Sequence, residues 1–135
     1  ANSHYRYSGK TVMPQPWHPL LLDIKHALQA TLNTPFNAVL CNYYRNGSDG
    51  MGWHSDDEPE LGPTPTIASL SLGSPRKFNL RSKQDKKNKI TFDLGQGDLL
   101  VMADSTQRYW QHNVSKTTRA VEGRINLTYR WVNEV

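Results

Sequence analysis

His54-Ser55-Asp56 sets an imidazole and a carboxylate two positions apart, and His112 supplies a second imidazole far downstream. Two imidazoles and one carboxylate can occupy one side of a metal ion and leave the opposite positions open. That is the arrangement that suits a ferrous ion which must also take up oxygen and a cosubstrate. A structural zinc site would more usually be closed and tetrahedral with cysteine, and Cys41 is the only cysteine. After His112 comes the arginine-bracketed run Arg124-Ile125-Asn126-Leu127-Thr128-Tyr129-Arg130. Arginines beside a metal motif suggest a carboxylate-bearing cosubstrate, because the planar guanidinium matches a carboxylate fork.

These residues need elements to hold them. Between 19 and 31 the apolar positions Leu20, Leu21, Ile24, Ala27 and Leu28 recur at helical spacing, which predicts a helix packed on a sheet. His26 on that helix has no second ligand at i+4 and reads as a surface or interface histidine. Beyond it the pattern is of strands: 36–45, 51–54, 66–72, 77–82, 89–94, 98–103, 110–114 and 123–132. A glycine-rich loop at 46–52 separates the first two, and the prolines of 57–65 predict irregular chain. Side chains alternate along a strand, so Arg124, Asn126, Thr128 and Arg130 share one face while Ile125, Leu127, Tyr129 and Trp131 share the other. Asn42 with Tyr44, and Ile67 with Ser69 and Ser71, also point together. Polar rows inside hydrophobic strands suit a barrel whose interior holds a ligand.

Length and composition fit one domain. The 135 residues, 36% hydrophobic, can build one core and hardly two. With 8 Pro and 9 Gly, turns are frequent and an all-β barrel or sandwich is favoured. No apolar run approaches a bilayer span and the first residues are not a secretory signal, so no membrane partner is expected. The single cysteine fits a reducing, intracellular compartment: nucleus or cytoplasm in a eukaryote, cytoplasm in a bacterium. The formal charge of +4 favours an anionic partner such as nucleic acid, although many basic proteins bind none.

Asn42-Tyr43-Tyr44, Trp53 through Glu58, Ile67 through Gly73, His112 and Arg124 through Arg130 together resemble the AlkB family of iron(II)- and 2-oxoglutarate-dependent dioxygenases, closest to its animal-type alkylation-repair members. The resemblance implies a double-stranded β-helix, or jelly roll, with a flanking N-terminal helix. It implies a single domain over 1–135, a trimmed catalytic core. It further implies Fe(II), 2-oxoglutarate and O2, and oxidative demethylation of N-alkylated bases of the 1-methyladenine and 3-methylcytosine type in DNA or RNA. Formaldehyde, succinate and CO2 would be released, and the reaction would serve alkylation repair.

Carried over by residue, His54, Asp56 and His112 resemble the iron ligands, and Arg124 the clamp on the distal carboxylate of 2-oxoglutarate. Arg130, Asn126, Asn42 and Tyr44 resemble the polar groups that complete that pocket. Glu58 resembles the base-contacting carboxylate, which suits a base made cationic by methylation; the plainer alternative is a solvated acidic turn. Tyr5 and Tyr7 resemble the lid over a flipped base, where aromatic rings suit stacking.

The stretch 82–89 reads as a hairpin tip whose Lys83, Lys86 and Lys87 can hold phosphates, with Lys116 and Arg119 as further candidates. Lysines at such a tip are also often merely solubilising. The partner expected is therefore alkylated DNA or RNA, with no obligate protein partner evident. Two alternatives stand beside the demethylase: a metal- and 2-oxoglutarate-binding sensor or scaffold without turnover, and a hydroxylase of protein or small molecules.

Overall fold

A computed structural model describes the backbone of residues 5–7, 10–12 and 15–133, with side chains from residue 15 onward. The lid expected of Tyr5 and Tyr7 concerns side chains outside the described residues. Their backbone forms a two-stranded antiparallel ribbon, β1 (Tyr5–Tyr7) with β2 (Lys10–Val12).

Helix α1 spans Pro19–Leu32. Pro19 opens it where a missing N–H costs nothing, and the His18 ring accepts a hydrogen bond from the Leu20 N–H at 3.1 Å. It stops at Asn33, whose left-handed φ of 49° suits an asparagine cap. The face turned to the protein runs through Leu21, Ile24, Leu28 and Leu32. Leu20 was expected in that stripe, but it is 66% exposed and Ala27 is exposed too. The apolar face thus keeps the expected Leu21, Ile24 and Leu28 but is shifted toward Leu32 and away from Leu20 and Ala27.

Eight strands follow: β3 (Ala38–Tyr44), β4 (Met51–His54), β5 (Ile67–Gly73), β6 (Arg76–Ser82), β7 (Lys89–Leu94), β8 (Leu99–Met102), β9 (Trp110–Val114) and β10 (Arg124–Arg130). They form two antiparallel four-stranded sheets, β3-β10-β5-β8 and β4-β9-β6-β7. Successive strands mostly change sheet, which is the jelly-roll arrangement expected. Two further turns of helix lie in the loops, a 3-10 turn at Pro59–Leu61 and α2 at Thr106–Tyr109.

Two apolar layers follow from strand alternation. Between the sheets, Tyr44, Ile67, Phe78, Leu80, Leu94, Met102 and Val114 form one core. On the outer face of the β10 sheet, Phe36, Ala68, Leu127 and Tyr129 receive Leu28 of α1. Full burial of an aromatic such as Phe36 contributes about 1.5–3 kcal/mol. Tyr129 adds a tether, its hydroxyl donating to the Leu21 carbonyl at 2.8 Å. Asn37 closes the end of β10 by exchanging two hydrogen bonds with the Val132 backbone, at 2.8 and 2.6 Å.

At the opposite end, Gly73 has φ +94°, and a Cβ there would approach the Gly123 carbonyl oxygen within 2.5 Å, so only glycine fits. This lets β5 turn beside the start of β10, where Arg124 pairs with Gly73. Among the described residues no helix is long and apolar enough to cross a membrane.

Candidate metal and cosubstrate site

Strands β4 and β9 pair antiparallel with His54 directly opposite His112. The register shifts between Met51 and His54, so β4 carries a bulge at Gly52 and Trp53. The Gly52 carbonyl lies 2.8 Å from His54 Nδ1. A carbonyl can only accept, so Nδ1 carries the proton and the Nε2 lone pair is presented to the interior. The two imidazole rings lie 4.3 Å apart, centroid to centroid, inclined at 62°.

Asp56 follows the end of β4, and its Oδ1 lies 3.7 Å from His54 Nε2 and 3.8 Å from His112 Nε2. One ligand atom from each of the three residues falls within 4.8 Å of the others. His112 is buried and stacks on Phe78 with centroids 5.3 Å apart. Burial pushes its pKa down to about 4, against the opposing pull of the Asp56 carboxylate, with His54 pushing it lower still. It is therefore neutral near pH 7, as a metal-ligating imidazole must be. Its Nδ1 is buried without a hydrogen-bond partner among the described residues.

The polar face of β10 enters the same cavity. His54, Asp56, His112, Asn42, Tyr44, Arg124, Asn126, Thr128 and Arg130 all line it, so the separate metal and arginine motifs converge. Arg124 is 1% exposed and donates to the Ser71 hydroxyl at 2.8 Å through Nη2. Its Nε and Nη1 are buried with no partner among the described residues. The guanidinium carbon sits 5.1 Å from the Tyr44 ring centre, and that of Arg76 lies 5.7 Å from the same ring. Burial lowers the pKa of Arg124, while Tyr44 opposes the shift. A buried guanidinium with two unused donors fits an anionic ligand, because such a charge is costly to leave uncompensated. The donor set of the triad likewise fits a divalent first-row metal with open positions.

Asn126 is more fully committed to the fold than Arg124. Its amide nitrogen donates to the Ser69 hydroxyl at 2.8 Å, and its oxygen accepts from Thr128 at 2.8 Å. Arg130 is 1% exposed, and its Nη1 lies 3.9 Å from Glu58 Oε1. Glu58 thus reaches the cavity's arginine rather than standing in a fully solvated turn; its neighbour Asp57 is exposed.

The basic residues fall into two groups. Lys86 and Lys87 are exposed at the β6–β7 tip, whereas Lys116 and Arg119 line a cleft with Ser74, Lys77 and Asp93 at the other end of β6. A seven-residue strand separates the groups by about 20 Å. Lys83 donates through Nζ to the Gln107 carbonyl at 3.0 Å, so it braces the loop holding α2.

Sequence reading did not find Gln107 or Phe78. Gln107 is 2% exposed and touches Asp56 from 51 positions away, a relationship no local pattern reveals. Ser69 and Ser71 did carry a signal, being polar residues alternating on a strand otherwise suited to core.

The family sequence model described as the 2OG-Fe(II) oxygenase superfamily matches residues 1–130. The alpha-ketoglutarate-dependent dioxygenase alkB homolog 3 of Bos taurus is 44% identical, over 95% of this chain and 48% of its own. The Homo sapiens protein of the same name is 43% identical with the same coverage. DNA oxidative demethylase ALKBH2 of Mus musculus is 36% identical, over 93% of this chain and 56% of its own. The chain therefore spans about half the length of these curated relatives. The solved structure of OsALKBH1 superposes with a TM-score of 0.66 at 24% identity, covering 90% of this chain and 66% of that one, which supports the fold.

Proposed function

The chain belongs to the 2OG-Fe(II) oxygenase superfamily, and on that premise we propose that it oxidatively removes alkyl groups from N-alkylated bases in DNA or RNA. The observation that carries this reading is the convergence of His54, Asp56 and His112 with Arg124 in one cavity, the arginine still holding two unused donors. The names of the relatives, dioxygenase and DNA oxidative demethylase, support the choice of nucleic acid over a protein or small-molecule substrate.

His54, Asp56 and His112 would hold Fe(II). When bound, the iron would supply the oxygen chemistry, in which O2 gives one atom to the oxidation of 2-oxoglutarate to succinate and CO2 and the other to hydroxylation of the N-methyl carbon, which then leaves as formaldehyde. The protein's part is to bind and orient. Arg124, with its buried guanidinium, would receive the distal carboxylate of 2-oxoglutarate. The Ser71 hydroxyl and the Tyr44 ring hold that guanidinium in place. Arg130, Asn126, Asn42 and Tyr44 complete the wall, with Thr128 and Ser69 fixing the Asn126 amide.

Glu58 faces the cationic methylated base, and Tyr5 and Tyr7 cover it. Lys86, Lys87, Lys116 and Arg119 meet phosphates, with Lys83 contributing whatever donors its tie to Gln107 leaves over. Residues 1–135 act as one catalytic domain in the nucleus or cytoplasm.

The test is incubation with Fe(II), 2-oxoglutarate and oligonucleotides carrying 1-methyladenine, with DNA, RNA and free nucleosides side by side. Succinate and formaldehyde in equal amounts are expected. Binding of 2-oxoglutarate without turnover on any substrate would favour a sensor instead.

A further inference from the structure

We infer that Gln107 is the positioning residue for Asp56, setting the carboxylate of the triad through its main chain; this rests on the reading of that triad as a metal site. The Asp56 N–H points at Gln107 Oε1 across 2.8 Å, and both residues are buried. An N–H can only donate, so the amide oxygen must face it, which turns Nε2 toward Met102 Sδ at 3.5 Å. The orientation of Gln107 is thereby fixed at both ends of its amide. The residue before is pinned to the same segment, with the Ser55 hydroxyl donating to the Trp110 carbonyl at 2.6 Å.

The segment receiving these bonds is itself held. Thr106 donates from its hydroxyl to the Ala103 carbonyl at 2.7 Å, and α2 ends where β9 begins. Lys83 donates to two of its carbonyls, from its backbone N–H to Tyr109 at 2.9 Å and from Nζ to Gln107 at 3.0 Å. The strand carrying His112 and the loop carrying Asp56 are thus joined through 107–110. His54 and His112 need no such device, since the β4–β9 ladder sets them opposite each other. Asp56 lies past the end of that ladder, and among the described residues its segment is held by the hydrogen bonds of Ser55 and Gln107. Groups behind a metal ligand fix its direction, and their loss typically costs about tenfold to a hundredfold in metal affinity.

The experiment is titration of the purified chain with Co(II), reading affinity by calorimetry and the visible d–d spectrum, for wild type, Gln107→Met, Gln107→Glu and Asp56→Ala. Gln107→Met keeps the length of the side chain but leaves the Asp56 N–H without an acceptor. Its Co(II) affinity should fall about tenfold to a hundredfold, with far-ultraviolet circular dichroism unchanged. Gln107→Glu retains an acceptor and should restore most of the affinity and the wild-type spectrum.

Wild-type affinity and spectrum in Gln107→Met, with binding lost in Asp56→Ala, would overturn the inference alone. Equal loss in the glutamate and methionine variants would overturn it too, since packing rather than the hydrogen bond would be responsible. Should the methionine variant not fold, the glutamate variant still decides, by keeping or losing Co(II). Undiminished binding in Asp56→Ala would remove the metal reading itself.

Discussion

The Arg130 guanidinium and the Glu58 carboxylate meet at the edge of the cavity, Nη1 lying 3.9 Å from Oε1. One of these residues ends the arginine strand and the other lies just beyond the metal motif, so the carboxylate proposed for base recognition is also tied to the cosubstrate wall. Two roles for Glu58 can therefore be separated by experiment.

If Glu58 recognises the positive charge of a methylated base, Glu58→Gln should lose roughly tenfold to a hundredfold in kcat/KM on 1-methyladenine, as for a charge-assisted contact of about 1.5–3 kcal/mol. A neutral etheno-adduct should suffer less. Equal losses on both lesions, together with a raised KM for 2-oxoglutarate, would show that Glu58 acts through Arg130 instead.

His54→Ala and Asp56→Ala should abolish turnover and metal binding while the fold survives. Both side chains border the cavity rather than filling the apolar core, and His54 is only partly buried. Its replacement should cost about 1 kcal/mol or less in thermal unfolding. Full activity in the His54 variant would falsify the metal assignment.

Much of this site is legible because strand alternation converts spacing into direction. Arg124, Asn126, Thr128 and Arg130 were expected on one face and do line one cavity, while Leu127 and Tyr129 lie beneath α1. The alternation does not say where a face ends: Ile125 and Trp131, on the apolar side, are 41% and 45% exposed beyond the reach of the helix. The limits of β3–β10 lie within about two residues of the expected ones, whereas the ribbon of β1 and β2 and the four-residue α2 match no expected element. Four residues are too few to show a period of 3.6. The bulge at Gly52 and the Gln107 tie are equally hidden, because each depends on a partner strand or loop distant in sequence.

Arg124 is a buried cation whose cost the fold only partly offsets. Arg124→Met should therefore leave the ligand-free chain as stable as wild type or more so, because an apolar side chain of similar length replaces a charge with two unpartnered donors. The same variant should lose the stabilisation by 2-oxoglutarate added with Mn(II), about 2.7 kcal/mol for wild type at a hundredfold excess over Kd. Melting curves with and without the cosubstrate measure both effects. A sharp fall in ligand-free stability would mean that the Ser71 and Tyr44 contacts already satisfy the guanidinium.

Tyr129 neighbours Thr128 and Arg130 on the same strand but points the other way, and this predicts a change in stability without a change in chemistry. Its hydroxyl donates to the Leu21 carbonyl, while its ring is fully buried against Phe36 and stacked on Trp17. Tyr129→Phe keeps the ring and removes one hydrogen bond, so about 0.5–1.5 kcal/mol should be lost in denaturant unfolding. KM for 2-oxoglutarate and kcat should stay at wild-type values, because nothing on the cavity face has moved. Thr128→Val, one residue earlier, should do the reverse. It removes the donor that holds the Asn126 oxygen and should raise KM, with the helix contacts untouched. If Tyr129→Phe altered the cosubstrate requirement as strongly as Thr128→Val, the two faces of β10 would not act independently, and the separation of anchor from pocket along this strand would be wrong.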